Sequence, residues 1–234
     1  MLECRNITKK YGSKVAVDSI NMQIEPGRIY ALLGPNGSGK TTLMKMAVGL
    51  IKPTSGDFYY KDEKIGVHSR KEIAYMSTEP YFYPWMTALD AGKYYRDFFE
   101  DFSMEKYEQL LSRMQLDQNM KVKTLSSGMI AKLKIAVTMA RQAKIYLLDE
   151  PLNGIDLLAR DEIMTSIIEA ASEDTAIVLS SHLVDELEKV IDTAFFVKDG
   201  HMVKTCHVED LRITEGKSIV DEYREIYGQG GASS

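Results

Sequence analysis

The feature that most constrains the fold of this chain is a short glycine-rich segment in its N-terminal part. Residues 34–41 read Gly-Pro-Asn-Gly-Ser-Gly-Lys-Thr, which matches the pattern G-x-x-x-x-G-K-[ST]. An apolar run, residues 28–33, precedes the segment, and the apolar residues within 42–48 have helical spacing. The sequence therefore predicts a strand, a tight loop and a helix, with the loop placed to bind phosphate.

The residue types of this segment suit phosphate binding. Glycines at positions 34, 37 and 39 have no Cβ, so the backbone can curl and point consecutive N–H groups at a polyphosphate. The Lys40 side chain is expected to reach the outer phosphates, and the Thr41 hydroxyl is expected to ligate Mg²⁺. The alternative is a glycine-rich turn that binds nothing, and the flanking strand and helix argue against it.

The composition indicates a globular chain of one large or two small domains. The chain has 234 residues, 44% of them hydrophobic, and a net charge of −5. Charges of both signs are well mixed and no long basic run occurs, so no nucleic-acid partner is expected. Apolar runs stay far below the ~18 residues that span a bilayer and no leader pattern occurs, so neither a transmembrane segment nor secretion is expected. Cys4 and Cys206 match no metal or redox spacing, which suits a reducing cytosol.

Alternating apolar and polar residues precede the glycine-rich segment. Residues 2–8 and 15–24 alternate in this way, which predicts two antiparallel strands joined by a turn. Tyr11 lies on this turn, where its ring either stacks on a nucleotide base or is an ordinary turn side chain. After the first helix, residues 57–60 and 73–76 are predicted to form further strands.

After position 77 the spacing of apolar residues changes from that of strands to that of helices, which predicts a helical insertion. Residues 81–86 (Tyr-Phe-Tyr-Pro-Trp-Met) concentrate aromatic side chains, and residues 87–102 and 104–115 carry apolar residues at helical spacing. Another helix follows residues 125–129 (Leu-Ser-Ser-Gly-Met), with Ser126 placed as its N-cap.

An apolar strand that ends in two acids is the second strong signal. Residues 145–148 are apolar and are followed by Asp149 and Glu150, so a parallel sheet would present both carboxylates at its ligand-binding edge. Asp149 is then placed to hold Mg²⁺ through water, and Glu150 to polarise an attacking water. Another buried strand, 175–179, leads to His182, which is either a further group at this edge or a satisfied loop side chain.

The C-terminal third continues the alternation of helix and strand. A helix is predicted over 157–170, with Asp156 placed as its cap. Residues 194–197 and 201–204 flank a turn and predict a hairpin, and residues 208–227 have weak helical character.

Five separated motifs, in this order, resemble those of the ATP-binding subunits of ATP-binding cassette (ABC) transporters across almost the whole chain. They are the Walker A loop at 34–42, the signature at 125–129, the Walker B strand at 145–150, the D-loop at 153–156 and a switch histidine, His182. The Walker motifs alone would also fit kinases, G proteins and helicases, whereas the ordered set is specific to this family.

The resemblance implies an α/β fold. It implies a P-loop NTPase with a RecA-like mixed and parallel sheet core, an antiparallel β subdomain and an inserted α-helical subdomain, all within a single domain over residues 1–230. Residues 1–78 and 145–215 are expected to form the nucleotide-binding core, 79–144 the helical subdomain, and 216–234 a C-terminal helix with a flexible tail.

The resemblance also implies roles for single residues. Lys40 is expected to bind the β and γ phosphates of ATP, Glu150 to act as general base, and His182 to steady the γ-phosphate and the attacking water. Tyr11 is expected to stack on adenine. The implied Mg²⁺ contacts are Thr41, Asp149 and Thr78. The other implied ATP contacts are Gly34, Pro35, Asn36, Gly37, Ser38, Gly39, Thr41, Thr42, Ser126, Ser127, Gly128 and Asp156.

By the same resemblance, two such subunits pair head to tail, as a homodimer or with a paralogous ATPase subunit. Each ATP then lies between the Walker A loop of one subunit and the signature of the other, where the helix N-terminus at Ser126 suits the γ-phosphate. ATP joins the subunits and hydrolysis releases them, which drives a separate membrane-spanning subunit. That subunit is expected to dock near residues 81–86, and the alternative for these aromatics is the core of the helical subdomain.

The implied function is an ATP-hydrolysing subunit, cytoplasmic and peripheral on the inner face of the plasma membrane, that powers export of a drug, peptide or other amphipathic substrate. The alternative is a soluble ABC ATPase in translation, DNA repair or cofactor assembly, with no membrane partner. Such proteins often carry tandem cassettes, a coiled coil or basic arms, and the sequence shows none of these.

The chain departs from the family pattern at the metal site and in the signature. The family usually has a glutamine after the strand at 73–76, where this chain has Thr78 followed by Glu79. We hypothesise that Thr78 or Glu79 senses the γ-phosphate only in the closed dimer. The signature departs from the usual residues at two positions but keeps Ser126 and Gly128, which predicts a working site.

Overall fold

The computed structural model describes residues 1–228, which form two sheets surrounded by helices. The strands are β1 (Leu2–Tyr11), β2 (Lys14–Ile24), β3 (Arg28–Leu33), β4 (Ser55–Tyr60), β5 (Glu63–Lys64), β6 (Ile73–Met76), β7 (Ile145–Asp149), β8 (Ala176–Ser181), β9 (Thr193–Lys198) and β10 (His201–His207). The helices are α1 (Lys40–Ala47), α2 (Val67–Glu72), α3 (Ala88–Phe98), α4 (Met104–Arg113), α5 (Ser127–Met139), α6 (Leu157–Glu169), α7 (Val184–Leu187), α8 (Val208–Glu215) and α9 (Ile219–Tyr227), with a 3-10 turn at Val122–Thr124. Residues 229–234 of the predicted flexible tail lie outside the described residues.

The larger sheet has six strands in the order β10-β9-β3-β8-β7-β6. Its five strands from β9 to β6 run parallel, and β10 returns antiparallel to β9 as the predicted hairpin. This order places the ends of β3, β7 and β8 side by side at one edge of the sheet. The predicted parallel core is therefore confirmed, and it brings the glycine-rich loop next to the strand that ends in two acids.

Both faces of this sheet are covered, which explains its nearly continuous apolar strands. Tyr30 and Leu32 of β3 pack in the layer that contains α1 and the antiparallel sheet. Their neighbours Ala31 and Leu33 pack on the opposite face, against the helical layer that includes α5. Each fully buried leucine on such a strand contributes about 1.5–3 kcal/mol to folding.

The smaller sheet is antiparallel, with the order β2-β1-β4-β5. Leu2 and Ile7 of β1 and Ile20 of β2 are fully buried in the layer between this sheet and the larger one. The β1–β2 turn thereby carries Tyr11 and Lys14 to the edge of the sheet that lies near the glycine-rich loop.

The predicted helical insertion is confirmed, but its first helix is shorter than expected. The apolar spacing predicts a helix over 87–102, but α3 ends at Phe98 because Phe99 has an extended backbone (φ −124°, ψ 109°). The chain then turns the Phe102 ring into the core, and the Ser103 hydroxyl caps α4 by accepting from the Lys106 N–H. A new cap and a buried aromatic ring thus end the helix earlier than its apolar spacing suggests.

The C-terminal region predicted as one weak helix, 208–227, is two helices. The first ends at Gly216, whose left-handed backbone (φ 63°) terminates α8. Ser218 and Asp221 then form a capping box that starts α9. Within residues 1–228, none of the helices combines the length and the apolar character needed to cross a bilayer.

Candidate nucleotide-binding site

The glycine-rich loop connects β3 to α1 and requires glycine at position 39. Gly39 precedes the first residue of α1 with a positive φ of 112°. A Cβ at this position would lie 2.5 Å from the Ala16 carbonyl oxygen, and one at Gly34 would collide with the Val197 carbonyl oxygen. These glycines therefore let the loop pack against β2 and β9, and within the loop the Ser38 N–H donates to the Pro35 carbonyl at 3.2 Å.

Lys40 is the central cation of the loop. Its side chain is only 5% exposed, and its Nζ donates to the carbonyl oxygens of Gly34 at 2.7 Å and Pro35 at 3.2 Å. Burial lowers the pKa of Lys40, and the nearby Glu150 carboxylate opposes that shift. The Ser38 hydroxyl is also buried and has no hydrogen-bond partner among residues 1–228. A buried cation and an orphaned hydroxyl in one loop fit a polyphosphate ligand.

The Asp149 carboxylate is fully buried at the end of β7. The register places Asp149 beside Ser180 of β8, whose Oγ donates to Asp149 Oδ1 at 2.6 Å. The Tyr75 hydroxyl donates to the other carboxylate oxygen at 3.5 Å. This carboxylate has few hydrogen bonds for a buried anion, and its oxygens are of the kind that Mg²⁺ prefers, so the residues present fit the implied metal.

Glu150 links the strand ends to one another. Its backbone is left-handed (φ 50°), a conformation that non-glycine residues adopt mainly at constrained or functional positions. Its N–H donates to Ser180 Oγ at 2.9 Å. One carboxylate oxygen lies 2.9 Å from His182 Nδ1 and the other 3.5 Å from Lys40 Nζ. The structure thus brings Lys40, Glu150 and His182 together at one edge of the sheet.

A cleft of about 380 Å³ opens beside these groups. It is lined by Tyr11, Lys14, Ala16, Asn36, Gly37, Gly39, Lys40, Thr41, Thr42, Thr78, Glu150 and Asn153. Tyr11 is 47% exposed, and Lys9 Nζ lies over its ring, 5.0 Å from the centroid. A larger cavity of about 490 Å³ lies between the sheets near Tyr30 and His207, but no residue of the glycine-rich loop lines it, so we assign the site to the smaller cleft.

The predicted contact residues of the signature and the D-loop do not line the cleft of their own chain. Ser126 caps α5 by accepting from the Met129 N–H at 3.2 Å, and Ser126 and Ser127 are exposed. Gly128 lies in the first turn of the same helix. The Asp156 carboxylate caps α6, as expected from sequence, by accepting from the Ala159 N–H at 3.0 Å. These groups are absent from the residues that line the cleft.

The position of the usual glutamine is occupied by a loop that faces the cleft. Thr78 is one of the lining residues, whereas the Glu79 carboxylate pairs with Lys45 Nζ of α1 at 2.6 Å. Of the two alternatives proposed for γ-phosphate sensing, the structure therefore places only Thr78 at the cleft.

Residues 81–86 divide between surface and core. Trp85 is 64% exposed and stacks on the Tyr83 ring, with centroids 5.7 Å apart. Met86 is only 4% exposed, which favours for this residue the alternative that it belongs to the core of the helical subdomain. The backbone of this segment pairs with the 3-10 turn, where the Val122 N–H donates to the Met86 carbonyl at 2.8 Å.

Ser180 is a site residue that the sequence reasoning missed. It donates to Asp149 and accepts from Glu150, so it orients both acidic positions. The signal was present in the sequence, because Ser180 ends the strand that leads to His182. Recognising it required the register of β7 against β8, which aligns Asp149 with Ser180.

Comparisons with known proteins agree with this geometry. The model of the ABC transporter family matches residues 17–153, more than half of the chain. The chain is 34% identical to the uncharacterized ABC transporter ATP-binding protein YcbN of Bacillus subtilis, with 91% of this chain and 71% of that protein covered. It is 33% identical to the lantibiotic transport ATP-binding protein SrtF of Streptococcus pyogenes, with 87% and 89% covered.

The fold is similar to a solved structure of the ATP-binding subunit of an ABC transporter. The TM-score is 0.86 at 24% identity, and the match covers 97% of this chain and 99% of that one. The family match spans the loop and the acid pair, and the structural match covers nearly the whole chain. The chain therefore belongs to the ABC transporter family of ATP-binding proteins.

Proposed function

We propose that this chain is the subunit that binds and hydrolyses ATP in an ABC transporter and that it works as a dimer on a separate membrane-spanning partner. One observation carries the proposal. The Glu150 carboxylate at the strand end lies 3.5 Å from Nζ of the loop cation Lys40 and 2.9 Å from Nδ1 of His182. Cation, acid and histidine at the mouth of a phosphate-binding loop suit phosphoryl transfer to water.

The loop is the ATP site. Lys40 exchanges its two carbonyl partners for phosphate oxygens, and the free Ser38 hydroxyl and the loop N–H groups contribute further donors. Tyr11 stacks on the base. Thr41 and Asp149 would hold Mg²⁺, which would neutralise charge on the phosphates when bound.

Glu150 is the general base. One of its carboxylate oxygens contacts His182, and the other lies 3.5 Å from Lys40 Nζ. Once phosphates bind Lys40, this second oxygen is released from the lysine and can accept a hydrogen bond from the attacking water. Glu150 accepts a proton from the attacking water, while His182 fixes the carboxylate orientation. Positioning and charge stabilisation carry the rate, and no covalent intermediate is needed.

A second subunit completes the site. Ser126, Ser127 and Gly128 begin the thirteen-residue helix α5, whose N-terminal end attracts anions but does not line the cleft of its own chain. We infer that it faces the ATP bound to another subunit, either a second copy or a paralogue, and that Asp156 lies in the same interface.

The transport role rests on relatives and on the surface. SrtF, of which this chain covers 89%, is described as a lantibiotic transport protein, which favours a peptide or similar amphipath as the exported substrate and disfavours a role in translation or DNA repair. The stacked, exposed pair Tyr83 and Trp85 is the proposed docking point for the membrane-spanning subunit, on the inner face of the plasma membrane.

The proposed division of the chain follows from the same elements. The helical subdomain over 79–144 fits between β6, which ends at Met76, and β7, which begins at Ile145. Residues 1–78 and 145–215 then form the nucleotide-binding core, and the chain beyond 215 is a C-terminal extension.

Phosphate release from Mg-ATP by the purified protein tests the proposal. Glu150→Gln should lower kcat by about 10²–10⁴ because the base is lost, and Lys40→Ala should abolish tight ATP binding. Glu209→Gln, an exposed acid of α8, is the matched control and should keep the wild-type rate. A wild-type rate for Glu150→Gln would contradict the mechanism.

Gel filtration of Glu150→Gln with ATP tests the dimer. We expect a dimer that persists while ATP remains bound. Only monomer, in the presence of bound ATP, would contradict the homodimer and would direct the search to a paralogous subunit.

A further inference from the structure

Lys134 lies in the middle of α5, and its side chain hydrogen-bonds to the loop that follows β6. Its Nζ donates to three consecutive carbonyl oxygens, those of Ser77 at 3.0 Å, Thr78 at 2.8 Å and Glu79 at 2.8 Å. An ammonium group has three N–H donors, so all three are used. A neutral amine would have two and would leave one carbonyl without its partner.

The charge on this side chain has no ion-pair partner among the described residues. Lys134 is 6% exposed, and the nearest loop carboxylate, Glu79, is paired with Lys45 instead. Burial lowers the pKa of Lys134. The Tyr81 ring lies 5.1 Å from the ammonium and covers it. A buried cation is costly unless its hydrogen bonds are complete, so the carbonyl cage is the feature that retains it.

A second cation holds the other end of the same strand. Arg141, seven residues after Lys134, donates to the carbonyl oxygens of Ile73 at 3.0 Å and Lys71 at 2.7 Å. Seven residues are about two helical turns, so both cations point from α5 and its C-terminal end toward β6. Because Lys134 binds the loop after β6 and Arg141 binds the start of β6, we expect β6 and α5 to move as one unit.

This unit has a functional group at each end. The N-terminal end of α5 carries Ser126 of the signature, and the loop held by Lys134 carries Thr78 into the nucleotide cleft. We infer that Lys134 is a positioning residue, which fixes the Thr78 loop at the cleft and transmits displacement of the signature helix to it. The inference rests on the proposed function.

Steady-state phosphate release by the full-length protein, with thermal unfolding alongside, tests the inference. Lys134→Met removes the three donors but keeps the length of the side chain. Thr78→Ala removes the hydroxyl that the loop presents. Each is expected to lower kcat about tenfold with a smaller change in KM for ATP, and the double variant is expected to fall no further than either single variant, because Lys134 acts through Thr78.

Lys132→Met is the matched control. Lys132 lies on the same helix, but its Nζ bonds to Glu162 and to the Met114 carbonyl within the helical layer. It should keep the wild-type kcat. Lys134→Gln, which retains two N–H donors, is the second variant if Lys134→Met does not fold, and its kcat should lie between those of the wild type and Thr78→Ala.

Three results would overturn the inference. They are a wild-type kcat for Thr78→Ala, equal kcat values for a folded Lys134 variant and Lys132→Met, and multiplied losses in the double variant. Failure of the proposed function is recognised separately, because it would appear as absent ATP hydrolysis in the wild type or as an unaffected Glu150→Gln.

Discussion

Replacing Ser180 with alanine should weaken both the fold and the catalytic site. The Ser180 hydroxyl is fully buried at the end of β8. It donates to the buried Asp149 carboxylate at 2.6 Å and accepts from the Glu150 N–H at 2.9 Å. Ser180→Ala removes both bonds while leaving almost no cavity, so the measured effect reports the hydrogen bonds themselves.

The expected loss of unfolding free energy depends on the hydrogen bonds that Asp149 and Glu150 keep without the Ser180 hydroxyl. A hydrogen bond to a charged group contributes about 1.5–3 kcal/mol. Within the described part of the chain, Asp149 then keeps one hydrogen-bond donor, the Tyr75 hydroxyl at 3.5 Å, so we expect the upper part of that range. The Glu150 N–H keeps the Ser180 carbonyl at 3.2 Å, so its loss is small. A total of roughly 2–3 kcal/mol corresponds to a fall in Tm of roughly 4–12 °C for a chain of this size.

Thermal unfolding followed by circular dichroism and steady-state phosphate release measure the two effects. We expect kcat to fall about tenfold or more because Asp149 and Glu150 lose their common anchor. Ser166→Ala is the matched control, since Ser166 is equally buried but donates to the Glu162 carbonyl within α6 and is remote from the strand ends. A Ser180→Ala variant that keeps the wild-type kcat and unfolds no earlier than Ser166→Ala would show that these two hydrogen bonds do not anchor the acids.

Two further predictions concern the aromatic segment and the alkaline range. Met86→Ala should lower the free energy of unfolding by about 2–5 kcal/mol because Met86 is buried. Trp85→Ala should change that free energy by less than about 0.5 kcal/mol and should weaken co-purification with the membrane-spanning subunit. Equal losses of Tm in the two variants would contradict this. Burial raises the pKa of the Cys4 thiol from 9.0 to about 12, so the unfolded thiol ionises first as pH rises. Ionisation of Cys4 should therefore lower the free energy of unfolding by about 1.4 kcal/mol per pH unit between pH 9 and pH 12. Measured by urea unfolding, the free energy of Cys4→Ala should decline less steeply with pH over this range. Equal slopes for the variant and the wild type would contradict a buried thiol.

The elements with local causes were predictable from the sequence. The strand predicted over 73–76 is β6 without any change of bounds, because an apolar run bounded by turns leaves little choice. The caps at Ser126 and Asp156 were predictable for the same reason, since a side-chain oxygen before a helix accepts from an N–H three residues later.

Other features depended on partners distant in sequence. The first inserted helix ended early because Phe102 found a place in the core, and Met86 was buried by a segment more than thirty residues away along the chain. Apolar spacing marks such residues as able to be buried, but it does not say where a surface will be covered. The roles of the individual site residues stay predictions until the variants are measured.

By itself the sequence determined the phosphate loop, the acid pair at the end of β7 and the position of His182 after β8, because glycine spacing and apolar runs act over a few residues. Only the tertiary structure decided that Ser180 anchors Asp149 and that Lys134 reaches a loop 56 residues earlier in the chain. The reason is physical: a buried polar group must find a hydrogen-bond partner, and which one it finds depends on the strand or helix that packs beside it.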